Sequence, residues 1–296
     1  MKIGLALGGG GAKSLSFISI LEFFEKYNIN VDIMSGVSMG AVIGALYGFF
    51  KNAHVCKLKL KQYLDKKEIK ELKFLSSNPI KERFQILERS FEFVKKFYLW
   101  NIKLIKKSVL DPKPFIKIFK EVFDGLEFCD LKIPLKVICA DLKTGLPVVI
   151  DQGKLVSALL ASCSLPGIFP PYNNLIDGGV ITTCPTEFIR KDCDFLIALN
   201  CKIDLEETEF KDGLSILFRA DLIRQKRILD SSLEKADFVF EPEVSKFNWV
   251  DFEKIEEILE AGRVEAEKNM ENLINAMKKK KRKRFLWRWL NYGRKD

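Results

Sequence analysis

Twice within its first fifty residues the chain runs from an apolar stretch through a glycine-bearing turn into a helical pattern. The first passage is "GLALGGGGAKSLSF", Gly4 to Phe17, and the second runs from Val31 through "SGVSMGA" to Phe50. Ile3 to Leu7 reads as a short buried strand, and the spacing predicts a helix over Ser14 to Tyr27. Val31 to Met34 begins a second strand, with Met39 to Phe50 as the helix behind it. Two strand–turn–helix units in succession leave few architectures open. They predict an α/β fold with a mainly parallel sheet flanked by helices, because parallel neighbours need a crossover between them.

The same alternation returns after an interruption. "PLKVICADL" and "PVVID" read as strands, and "KLVSALLASCSLPGIFPP" as a helix stopped by Pro166. "NNLIDGGV" is a strand feeding a turn, and "CDFLIALNC" is a further buried strand. Helices are expected over Gly213 to Lys235 and Phe252 to Met277. Residues 51–125 differ in character: rich in lysine, phenylalanine and leucine, they read as a helical insertion whose Phe84, Phe91, Phe93, Phe97, Tyr98 and Trp100 line an acyl pocket, rest on a bilayer or simply pack on the sheet. The division predicted is a single α/β domain over 1–277 and a basic tail over 278–296. With 296 residues, 47% of them hydrophobic, the chain can bury a full core.

A glycine turn between strand and helix favours a negative charge, because its N–H groups need a partner. A phosphate-binding loop would require glycine at positions 12 and 7, where the chain has Ala12 and Leu7. The dinucleotide pattern fails as well: after Gly8 and Gly10 its third position is Lys13, and after Gly9 and Gly11 it is Ser14. The second turn offers another use for the first. "GVSMG", Gly36 to Gly40, is G-x-S-x-G between a strand and a helix, the context of a nucleophile elbow. Ser38 would project at the strand end, with the dipole of the following helix behind it.

A serine nucleophile needs a base. His54 is the sole histidine. At about 1.5 Å per helical residue it lies roughly 20 Å from Ser38, so a Ser-His-Asp triad is ruled out by counting. Asp177 in "LIDGGV" is a candidate at a strand end, its two following glycines permitting close backbone approach. Asp141 in "ICADLKTG" competes but heads what reads as a hairpin turn. Lys13 is a third candidate, although a lysine there suits stabilisation of negative charge better than proton abstraction. Seven cysteines without CxxC spacing suggest reduced thiols, and one histidine with no cysteine cluster argues against a metal site.

Taken together, "GGGGAK" (Gly8 to Lys13), "GVSMG" and "DGG" (Asp177 to Gly179), in that order, resemble the patatin-like phospholipases of the bacterial type. "ASCSLPGIFPP", Ala161 to Pro171, resembles the segment before that family's aspartate. The similarity covers roughly residues 1–50 and 130–270. It implies a three-layer α/β sandwich and a serine–aspartate dyad, with Ser38 as nucleophile and Asp177 as general base. It further implies an oxyanion hole from N–H groups around Gly9, Gly10 and Gly11, supported by Lys13, Gly36, Gly40, Gly178 and Gly179. No cofactor is implied. The chain departs from the family where Lys13 and Ser14 replace the usual arginine and glycine, which keeps the charge but loses the planar fork.

The net charge of +9 is concentrated in "KKKKRKRFLWRWLNYGRK", Lys278 to Lys295; the rest is close to neutral. Basic residues flanking Trp287 and Trp289 suit an anionic lipid surface, whereas nucleic acid gives no special reason for the tryptophans. No signal peptide or membrane span is read, so the expected place is the cytoplasm, peripheral on the inner face of the membrane. The expected reaction is hydrolysis of fatty-acyl esters of phospholipids or lysophospholipids. The alternatives are a soluble carboxylesterase or acyltransferase, and a non-catalytic lipid-surface binding protein.

Overall fold

The computed structural model describes residues 1–64, 112–203, 205 and 213–292. β1 (Ile3–Leu7) leads through a 3₁₀ turn at Gly11–Leu15 into α1 (Ser16–Lys26). β2 (Ile33–Val37) leads directly into α2 (Met39–Phe50), followed by α3 (Ala53–Leu64). α4 (Pro112–Phe123) precedes β3 (Leu135–Asp141), β4 (Pro147–Ile150) and α5 (Leu155–Ser162). β5 (Leu175–Asp177), β6 (Phe195–Leu199), α6 (Gly213–Leu233), β7 (Phe238–Phe240) and α7 (Ile255–Tyr292) complete the order.

The sheet runs β4-β3-β2-β1-β6-β7, with β5 paired to β3 outside that path. β3, β2, β1, β6 and β7 are mutually parallel, while β4 and β5 both run antiparallel to β3. β1, β2 and β6 are buried along their whole length, as expected of central parallel strands covered on both faces. Alternate residues divide between two cores. Leu5, Leu7, Ile197 and Leu199 join Phe17 and Phe24 of α1, Ile43 of α2, Leu159 of α5 and Ile258 of α7. Ala6, Leu196 and Ala198 face Ile189 and Leu229 of α6. Because successive strand residues point to opposite faces, this division makes three layers with helices on both sides of the sheet.

The structure departs from the sequence reading at several places. β2 does not break before the serine motif but carries Ser35, Gly36 and Val37 within the strand. The first helix is preceded by a 3₁₀ turn rather than starting at Ser14. β7 has no counterpart in the expectation. The C-terminal helix does not stop at Met277 but continues through the basic run to Tyr292. Lysine and arginine are good helix formers, so the polar run propagates a helix already nucleated by packing. Lys280 fastens this part of α7 to the sheet edge by donating to Asp237 at 2.6 Å. The insertion begins and ends in helices, α3 and α4. Its aromatic residues Phe84, Phe91, Phe93, Phe97, Tyr98 and Trp100 lie outside the described residues.

Candidate active site

In a parallel sheet the strands end on the same side, so the turns after β1 and β2 meet there. Ser38 occupies the bend between β2 and α2 with φ 53° and ψ −130°, a backbone conformation a side chain rarely adopts. The bend is possible because Gly36 and Gly40, two residues to either side, have no side chains to place. A Cβ on Gly40 would stand 2.3 Å from the Leu7 carbonyl oxygen, and one on Gly36 would stand 2.6 Å from Ala41 Cα. Ser162, at the end of α5, ties the bend down: its hydroxyl accepts the Ser38 N–H at 2.9 Å and donates to the Ile138 carbonyl at 2.8 Å. Ser162 was not singled out in the sequence; its only signal there was membership of the "ASCS" segment.

Asp177 reaches the same place from the antiparallel strand β5, where it pairs with Cys139 of β3. Its N–H donates to the Ser164 carbonyl at 3.0 Å, and its carboxylate accepts from the Gly179 N–H at 2.7 Å. The turn behind it must press on β3, since a Cβ on Gly178 would lie 2.5 Å from the Ile138 carbonyl oxygen. Asp177 is 3% exposed. Burial raises its pKa from 3.8 to about 6, while hydrogen bonds from Ser38 and Gly179 pull it back down. The structure thus brings Ser38 and Asp177 together. Asp141 instead caps its own hairpin turn, accepting from the Lys143 and Thr144 N–H groups. His54 is exposed at the start of α3.

The glycine loop closes over Ser38: a Cβ on Gly9 would lie 3.3 Å from that of Ser38. Its donors are not equivalent. The N–H of Gly8 is spent on the Leu199 carbonyl and that of Gly9 on the Thr183 carbonyl, each at 2.9 Å. The Gly9 N–H, one of the group expected to face an oxyanion, is thus engaged by a backbone acceptor. Among the described residues no acceptor takes the N–H groups of Gly10 and Gly11. Gly11, at φ 58°, is pressed against the Trp249 carbonyl, which also accepts the Ala12 N–H at 2.7 Å. Ser14, the residue that departs from the usual glycine, holds the loop by donating to the Gly8 carbonyl at 3.2 Å. Lys13 brings positive charge beside it, felt by the Cys201 thiol packed under Gly10; burial still pushes that thiol up to about 12.

Cys163 meets the Ser38 side chain from the other side. Burial and the neighbouring Asp177 hold its thiol well above the ordinary range, so it remains a neutral wall. All seven cysteines are free. Among the described residues no group of three or more His, Cys, Asp or Glu side chains could hold a metal ion.

A family model described as patatin-like phospholipase matches residues 5–189. The neuropathy target esterase sws of Drosophila melanogaster is 25% identical over 227 residues, covering 72% of this chain but 14% of that protein. Its counterpart in Drosophila persimilis is 26% identical over 194 residues, covering 62% of this chain and 11% of that protein. The chain thus spans a small fraction of the curated relatives it matches. Among solved structures, VipD from Legionella pneumophila aligns over 92% of this chain and 66% of its own, with 14% identity and a TM-score of 0.47.

Proposed function

We propose, from the premise that this chain belongs to the patatin-like phospholipase family, that Ser38 and Asp177 form its hydrolytic dyad. The family supports lipid ester hydrolysis in general, and the relatives named esterases agree with it. The observation that carries the finer reading is the buried Asp177 carboxylate beside a serine on a strained bend. Asp177 accepts the Ser38 proton as Ser38 attacks the ester carbonyl, and hands it to the leaving oxygen, so that the alcohol departs and an acyl-enzyme forms. Water then gives a proton to Asp177 as it attacks the acyl-enzyme, and Asp177 returns that proton to Ser38 as the fatty acid is released. The N–H groups of Gly10 and Gly11 take the oxyanion, with the N-terminus of α2 behind it and Lys13 adding charge. Each such donor is worth about 10²–10³ in rate. The substrates are phospholipids or lysophospholipids. Fatty-acid release from anionic phospholipid vesicles, compared with Ser38→Ala, tests the reading.

A base that must be ionised gives the reaction an acid limb. With the Asp177 pKa near 6, kcat/KM on a soluble ester should fall about tenfold per pH unit below that value and level off above it. A flat profile between pH 4 and 7 would reject Asp177 as the base.

The membrane surface is met, in this reading, by the basic end of α7. Lys278, Lys279, Arg282 and Lys283 surround one shallow depression with Asn275, a concentration of charge suited to anionic head groups. No helix among the described residues is long and apolar enough to cross a membrane. Replacing these four residues by glutamine leaves the Lys280–Asp237 tie in place. Co-sedimentation with anionic vesicles should then drop at least tenfold while hydrolysis of a soluble ester is unchanged, at about 1 kcal/mol per basic residue near the surface. Undiminished vesicle binding would reject this role for α7.

A further inference from the structure

We infer that the groove between α4 and the segment following α5 receives the first carbons of the substrate's acyl chain, an assignment that rests on the hydrolase reading above. The groove has a volume of about 160 Å³ and is walled by Phe115, Ile116, Leu160, Cys163, Phe169 and Tyr172, and among the described residues no charged side chain lines it. Its apolar walls are built rather than incidental. Phe115 and Phe119 stand one helical turn apart on α4, with ring centroids 4.7 Å apart. Phe115 also stacks on Phe169 at 4.4 Å and 23°. Those contacts fix the aromatic wall while Phe119 and Phe123 are buried beneath it. Tyr172 turns its hydroxyl to Ser157 at 3.3 Å, leaving its ring as apolar lining.

The groove shares its floor with the dyad. Cys163 lines it and also meets the Ser38 side chain. Ser164, the next residue, lines it too and accepts the Asp177 N–H on its carbonyl. The groove thus lies across Cys163 from the Ser38 hydroxyl, within reach of the acyl chain of an ester whose carbonyl is held there. A polar head group would find no partner there, whereas an alkyl chain loses nothing by entering. An apolar cavity of about 150 Å³ accommodates a benzene molecule, so this groove fits about six carbons. Within that length each added CH₂ should raise kcat/KM about fourfold if buried fully.

The test compares p-nitrophenyl esters from acetate to dodecanoate, using wild type, Ile116→Trp and Leu160→Trp. Wild type should gain about fourfold per CH₂ up to about six carbons and then level off. Tryptophan at either position should flatten that rise, so that longer esters lose their advantage over the acetate ester. Ile116 is half-buried on α4, so its variant remains usable if the more buried Leu160→Trp does not fold. In parallel, NMR line broadening of octanoate is read on Ser38→Ala with and without Ile116→Trp. Broadening by Ser38→Ala that disappears with Ile116→Trp supports the groove, even if no ester is cleaved and the hydrolase reading falls. Ester cleavage by a folded Ile116→Trp with the wild-type chain-length rise overturns the groove and leaves the hydrolase reading intact. Absence of octanoate broadening by Ser38→Ala also overturns it.

Discussion

Alanine at position 38 is expected to lower fatty-acid release from phospholipid vesicles by about 10⁴-fold or more, while the protein stays folded. The substitution removes one oxygen and nothing else that shapes the bend. A Cβ remains at φ 53°, so the backbone is held no differently, and the N–H still reaches Ser162. What disappears is the hydroxyl that hydrogen-bonds the buried carboxylate. Loss of its hydrogen bond also removes one of the interactions that lowers the Asp177 pKa, so the variant's carboxyl should titrate above wild type. Circular dichroism would confirm an intact fold, and titrated fatty acid would give the rate. Equal release by wild type and variant would mean that another group is the nucleophile.

The substitution Asp177→Asn should be nearly as damaging to catalysis and, at neutral pH, good for stability. The amide keeps an oxygen that accepts from Gly179 but cannot take the Ser38 proton. The stability argument follows from the direction of the pKa. Folding raises it from 3.8 to about 6, so as pH rises the unfolded chain loses this proton first. Between those two values the folded state holds the extra proton, and stability declines with increasing pH. Above about 6 the loss is constant, at about 3 kcal/mol. A neutral amide would not suffer it. The variant should therefore melt several degrees above wild type at pH 8 and close to it at pH 3.5, measured by calorimetry in both buffers. A variant less stable than wild type at pH 8 would show that the buried carboxylate is better solvated by its neighbours than its burial suggests.

Much of the site could be read from the chain because its parts are local. Leu7 into the glycine turn, and Val37 into Ser38 and α2, are each written in a dozen consecutive residues, with the apolar run, the small residues and the helix in one place. The position of Asp177 at a strand end was legible for a similar reason, its strand and two glycines being contiguous, whereas the residues alone left Asp141 and Lys13 beside it as candidates for the base. What could not be read depends on partners far along the chain. That Gly9 spends its N–H rests on the Thr183 carbonyl, and the tie on the Ser38 N–H rests on Ser162, a residue that looks like ordinary small-residue helix. The groove joins α4 to a segment some fifty residues later, and neither wall announces the other. The helical state of the basic run was missed because its apolar periodicity fades, whereas its backbone is anchored through Lys280 and Asp237 on the sheet edge.

The bend at Ser38 also has a bearing on stability. A residue with a side chain held at such a φ costs about 1–3 kcal/mol, and glycine would carry none of that strain. Were stability the only quantity at stake, glycine would be the favoured occupant of this bend. Serine stands at position 38 against the local backbone preference, a stability cost that the hydrolase reading accounts for.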